Sequence, residues 1–196
     1  MFRPERNPSV MPLHEDLRPL PGEPAALDLV NTRYRDRTGH IDLINTRAAL
    51  NRWLHTSGHL KDYPDPYQSA DDYAFTVIRR ARDILTQFLA DPADPNALTR
   101  FNSLLSHGRT RHELTPTGPV EHLDIDDPAH LIGHLAAVSY LTLLTRGPDR
   151  LRTCANDCGL YFFDTSRNGS RRWCSREGCG NRVRVARHYA RRRNSA

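Results

Sequence analysis

The chain has 196 residues, 38% of them hydrophobic, and a net charge of +5, enough for one medium-sized domain with a buried core and a small module beside it. No stretch approaches the roughly 20 apolar residues of a membrane helix, and the opening residues lack the apolar segment of a secretory signal, so a cytoplasmic protein with no membrane partner is expected. The charge is uneven: from Arg146 onward thirteen arginines face four acidic residues, a net of +9, while the preceding 145 residues carry −4. Such asymmetry suits a basic module that meets a polyanion, the alternative being a solvated basic tail.

In chain order, residues 1–24 hold Pro4, Pro8, Pro12, Pro19, Pro21 and Pro24 and are expected to form a flexible lead-in. ALDLVNTRY from Ala25 reads as a short helix, broken by Gly39. Thr46 caps a second helix with Leu50, Trp53 and Leu54 on one face and Gly58 as its stop. Ser69 and Asp72 form a capping-box pattern ahead of a core stripe of Tyr73, Val77, Ala81, Ile84, Leu85 and Phe88. Asp94-Pro95 starts a helix with Leu98, Phe101, Leu104 and Leu105 inward and Gly108 past its end. The segment around Thr117-Gly118 alternates weakly, as an exposed hairpin would. Asp127-Pro128 opens a last long helix through Leu131, Leu135, Val138, Leu141 and Leu144, closed by Gly147-Pro148. The fold class is therefore mainly α: a multihelical domain over 25–147 with at most a small β-hairpin, then a treble-type or ribbon-like zinc module over 148–196 ending in a basic helix.

All four cysteines lie in that module, as C-x3-C (Cys154, Cys158), fifteen residues, and C-x4-C (Cys174, Cys179). Two such knuckles can set four thiolates around one zinc ion at about 2.3 Å each, supplying on the order of 10 kcal/mol that so small a unit cannot obtain from its core. Four thiolates leave no open coordination position, so the zinc is expected to be structural. Disulfide pairing and an iron–sulfur cluster are the competing readings. Tyr161, Phe162, Phe163 and Trp173 on the intervening loop are expected to cover the site and to be buried.

The run from Arg152 to Arg192, including YFFDTSRNGSRRWCSREGCGNRVRVARHY, resembles the CGNR zinc finger, named for the tetrad that stands here as Cys179, Gly180, Asn181 and Arg182. The likeness includes Ser166-Arg167-Asn168 and the R-R-W-C run from Arg171 to Cys174. Such fingers usually follow a helical ABATE domain, and LDLVNTR at 27–33 with the helix ending in Trp53-Leu54 is similar to its opening. The resemblance implies a stress-induced transcription regulator whose finger binds DNA and whose larger domain senses a small-molecule effector. The proline-rich extension departs from that pattern, and nothing is carried over to it.

Asn181 suits the N-cap of a final helix reaching about Arg193. On a helical wheel Val185, Ala186, Tyr189 and Ala190 face the knuckles, while Arg184, Arg187, His188 and Arg191 form a basic face. Arg167, Arg171 and Arg172 extend that patch from the loop, and planar, permanently charged guanidinium groups suit phosphate. Arg182 falls on the inner side, where it can also brace the module by bonding a carbonyl or Asp157. These arginines and His188 are the candidate DNA contacts. Asn31 and Thr32 either line an effector pocket or terminate the first helix. His130 and His134 share a helix face without zincin spacing, and no phosphate loop, nucleophile elbow or paired-carboxylate motif is visible, so a non-enzyme is expected. Docking to an acidic protein partner, or RNA binding through exposed aromatics, are the alternatives to DNA.

Overall fold

Among the residues that the computed structural model describes, 16–64, 67, 69–185 and 192, five α-helices and three separate two-stranded antiparallel ladders are formed. Helix α1 (Ala25–Val30) has only six residues, too few to be stable alone. Burial holds it in place: every residue from Ala26 to Val30 is enclosed, between α3 (Asp72–Ala90), α5 (Leu131–Arg146) and the C-terminal module.

Local chemistry sets most helix ends. Thr46 accepts the Ala49 N–H at 3.2 Å to start α2 (Arg47–Ser57), and Gly58 ends it in the left-handed region at φ 71°. Asp94 accepts from Asn96 and Ala97 to start α4 (Pro95–Ser106). Helix α3 is capped by Asp71, which accepts the Ala74 N–H at 2.8 Å, and not by the expected Ser69–Asp72 box. Its buried stripe accordingly runs through Ala74, Ile78, Ala81, Ile84, Leu85 and Phe88, and Tyr73 is 55% exposed. Leu98 on α4 is likewise exposed, with Ala97 taking the inward place one residue away.

A 3-10 turn at Pro128–His130, capped by Asp127, leads into α5. That helix is apolar almost all round, so its periodicity does not choose a face. Small residues choose it: Gly133, Ala136 and Ala137 are buried, and a Cβ on Gly133 would lie 2.9 Å from the Ala81 methyl. Val138 and Leu141, expected inside, are therefore exposed. Phe88, Phe101 and Tyr140 pack ring to ring, at centroid distances of 4.5 to 5.4 Å, where α3, α4 and α5 meet.

The helical domain contains two hairpins where at most one was expected. β1 (Arg33–Arg35) pairs with β2 (His40–Asp42), three-residue strands with no alternating apolar pattern to announce them. Fully buried Arg82 of α3 anchors this hairpin by a two-pronged bond to Asp42, at 2.6 and 2.9 Å, and a third bond to Thr32. β3 (Gly108–Thr115) and β4 (Gly118–Ile125) form the anticipated hairpin around Thr117-Gly118. Only Leu123 and Ile125, near its foot, pack on the core.

Residues 16–24 are tied down, unlike the flexible lead-in expected of them. Arg18 bonds buried Asp28 at 2.8 Å and the Thr56 carbonyl at 3.1 Å, and Leu20 packs on the cysteine module. Proline density opposes regular structure but does not oppose docking, which residues 16–24 achieve through side chains; residues 1–15 of the expected lead-in lie outside the described residues. No described helix is long and apolar enough to cross a membrane.

Candidate metal centre and nucleic-acid interface

Strands β5 (Leu151–Thr153) and β6 (Tyr161–Phe163) form a hairpin, in register Leu151 to Phe163 and Thr153 to Tyr161, and the first two cysteines lie in its connection. The second pair is carried by Cys174 and by a π-helical turn, Arg176–Gly180, that holds Cys179. All four cysteines are buried, and their sulfurs lie within 4.8 Å of one another. The Cys158 and Cys174 sulfurs are 3.8 Å apart, which matches the edge, about 3.8 Å, of a tetrahedron with metal–sulfur bonds of about 2.3 Å.

The donor set also fits a cation electrostatically. Hydrogen bonds from Cys158 and Cys174 pull Cys154 down into the thiolate range, and the same contact with Cys154 pushes Cys158 and Cys174 up. Four sulfurs at this distance ionise together only around a positive ion. The Cys174 N–H and the Asn156 side-chain amide point at the Cys154 and Cys179 sulfurs, each at 3.4 Å. Such N–H donors share the negative charge of thiolates and fix their direction.

Asp164 organises the loop between the knuckles. It is fully buried, accepts the Ser166 and Arg171 N–H groups at 2.8 Å each, and lies 3.9 Å from the Arg152 guanidinium. Burial alone would raise its pKa, but these donors outweigh burial and hold the carboxyl below its ordinary value. Arg150 donates to the Asp164 and Ser166 carbonyls across the same turn.

The candidate arginines divide into two groups. Arg171 stacks over the Phe162 ring at 4.5 Å and donates to the Trp173 and Cys174 carbonyls, so it braces the loop, contrary to its expected place on the free patch. Arg182 bonds the Cys179 sulfur at 2.8 Å. It is a brace, as its position on the wheel suggested, but its partner is a cysteine; Asp157 pairs instead with Arg35. Arg167, Arg172 and Arg184 are exposed. Arg172, Arg184 and exposed Arg176, which the sequence reading passed over, line a cleft of about 730 Å³ with Ser170, Trp173 and Ser175. Arg187, His188 and Arg191 lie outside the described residues.

Asn181 does not cap the last helix. Its backbone is already helical, at φ −68° and ψ −41°, whereas an N-cap is extended. Ser175 is the cap: its hydroxyl accepts the Gly178 N–H at 3.0 Å, and the turn runs directly into helical residues 181–185. Gly180 permits this geometry, because a Cβ there would lie 3.2 Å from the Ser175 carbonyl oxygen. Val185, expected to pack on the knuckles, is 45% exposed. Phe162 and Phe163 are buried, and Tyr161 and Trp173 partly so, which leaves no open stacking platform on β6.

Asn31 and Thr32 serve the protein itself. The Asn31 amide donates to the Tyr161 carbonyl at 2.8 Å and accepts the Tyr161 N–H at 2.9 Å, so it stands where a neighbouring strand would. Thr32 donates to Leu29 and accepts from Arg82. Both are 1–2% exposed, with their side chains engaged in the protein and not offered to an effector. Beside them, the Arg35 N–H donates to the Cys158 carbonyl at 2.9 Å, and Leu27, Leu143 and Phe163 form a joint apolar cluster.

Comparison with known families agrees with this division of the chain. Residues 23–147 match the ABATE family model, described as "Putative stress-induced transcription regulator", and residues 150–192 match the CGNR zinc finger. No curated protein matches the chain.

Proposed function

Because the chain belongs to the ABATE family and carries a CGNR zinc finger, we propose that it is a DNA-binding transcription regulator whose finger is held by one structural zinc ion. A site closed by four thiolates has no position left for a substrate or an activated water, and we read the protein as a binding protein and not an enzyme. The observation that carries the DNA reading is the placement of the arginines: Arg171 and Arg182 brace the metal module, Arg171 from the wall of the cleft itself, while Arg172, Arg176 and Arg184 line that cleft with no acidic residue among its described lining residues. Phosphates are the complementary ligand, because each guanidinium can donate two parallel hydrogen bonds to them. With Phe162 and Phe163 enclosed, and Trp173 the one partly exposed aromatic at the cleft among the described residues, a backbone contact with duplex DNA is favoured over base stacking on single-stranded RNA.

In this reading the helical domain is the sensor. An effector bound there would act on the finger through the Asn31–Tyr161 and Arg35–Cys158 contacts, and would change DNA affinity by its differential affinity for two arrangements of the domain. The test is a titration of labelled duplex with the wild type and with an Arg172→Ala, Arg176→Ala, Arg184→Ala variant at several salt concentrations. Loss of three phosphate contacts is expected to weaken binding at least tenfold at low salt and to reduce the salt slope by about 3. Unchanged affinity and slope in a folded, metal-replete variant would remove the cleft from the interface. Absence of wild-type binding to duplex, with retention of an acidic protein partner, would favour the docking alternative.

A further inference from the structure

The foot of the β3–β4 hairpin gathers metal-ligating side chains that the finger does not use. His107 caps the end of α4 immediately before β3, Asp126 follows β4 directly, and His130 ends the 3-10 turn before α5. Their ligand atoms all lie within 4.8 Å of one another. His107 Nδ1 is 2.8 Å from an Asp126 carboxylate oxygen, and the His107 and His130 rings stack 3.5 Å apart at 8°. The chain is turned back on itself here, with the His107 carbonyl accepting the Asp126 N–H at 3.1 Å, so the three groups are held by backbone and not by long mobile side chains.

We propose that His107, Asp126 and His130 form a second metal site, for a divalent transition ion such as zinc, independent of the cysteine centre and of the DNA-binding reading. Two imidazoles and one carboxylate suit a borderline cation, and leave one or more positions for water or an outside ligand. Both rings are partly exposed, so an ion has a path in. Parallel rings cannot both aim a lone pair at one ion, and binding therefore requires them to splay about their Cβ–Cγ bonds. A short distance further in, His134 is 5% exposed and its Nδ1 has no hydrogen-bond partner among the described residues; its ring fills the place a Cβ on Gly108 would take. The foot thus contains a buried imidazole nitrogen with an unmet bond one helical turn from His130. A bound ion would join the end of α4, the end of β4 and the approach to α5, fixing the direction of the hairpin.

The experiment uses full-length protein whose finger already holds one zinc per chain, titrated with Zn²⁺ and, in parallel, with Co²⁺ followed by absorption. The expected result is a second equivalent, with the Co²⁺ bands of a nitrogen and oxygen site and without thiolate charge transfer. His107→Gln with His130→Gln should abolish the second equivalent and leave the first, and Asp126→Asn should weaken it roughly tenfold or more. A native circular dichroism spectrum of the glutamine variant in chelator separates a lost site from a lost fold; should that variant fail to fold, the single His107→Gln variant gives the same readout. A single equivalent per chain up to millimolar metal would overturn the proposal, as would a second equivalent unaffected by these substitutions. Neither result depends on whether the finger binds DNA.

Discussion

Asn31 replaces a missing strand for β6, and its loss has a calculable consequence. Alanine at this position leaves the Tyr161 N–H and carbonyl without their partner in a partly buried strand, at a cost of about 2 kcal/mol. Urea denaturation of Asn31→Ala should show that loss with the zinc content unchanged; a change below about 0.5 kcal/mol would place the junction elsewhere. The four cysteines were legible from the sequence because metal-ligand spacing is local. The partner of Asn31 is 130 positions away, and no local pattern points to it. Arg171 and Arg182 teach the same lesson, since a charge count treats every guanidinium alike, while the structure turns one onto Phe162 and another onto the Cys179 sulfur.

At the scale of elements, caps and periodicity carried the helices, and the short β1–β2 hairpin escaped because what holds it is Arg82, reaching across from α3. Burial alone would raise the Asp42 carboxyl, but the hydrogen-bonded ion pair with Arg82 outweighs burial and holds it below the usual carboxylate range. A depressed carboxylate contributes stability above its unfolded value, near pH 4, and the contribution fades as pH falls through the lower folded value. Asp42→Asn should therefore lower stability at pH 7 by about 3 kcal/mol, largely through the uncompensated buried Arg82. The gap to wild type should narrow as pH falls below about 4. Denaturation curves at both ends of that range check this; an equal gap at all pH values would contradict it. Helix α5 shows the limit of periodicity, for an all-apolar helix is placed by its glycine and alanines and not by any stripe.

At the scale of the whole molecule, the finger and the helical domain share a boundary built from Asn31, the Arg35 backbone and the Leu27, Leu143 and Phe163 cluster. The charge asymmetry of the two halves was plain in the sequence, whereas this boundary was not. Under the proposed function, an effector bound to the helical domain would act on the finger across this boundary. The central claim, that the zinc-held module meets DNA through its free arginines, is tested most directly by the salt dependence of duplex binding by zinc-loaded protein. Exposed Arg167, Arg172, Arg176 and Arg184 predict a slope of log affinity against log salt of about −3 to −4, and chelation of the zinc should abolish binding. Zinc-loaded protein that fails to bind duplex at low salt, or binds it with no salt dependence, would contradict the account.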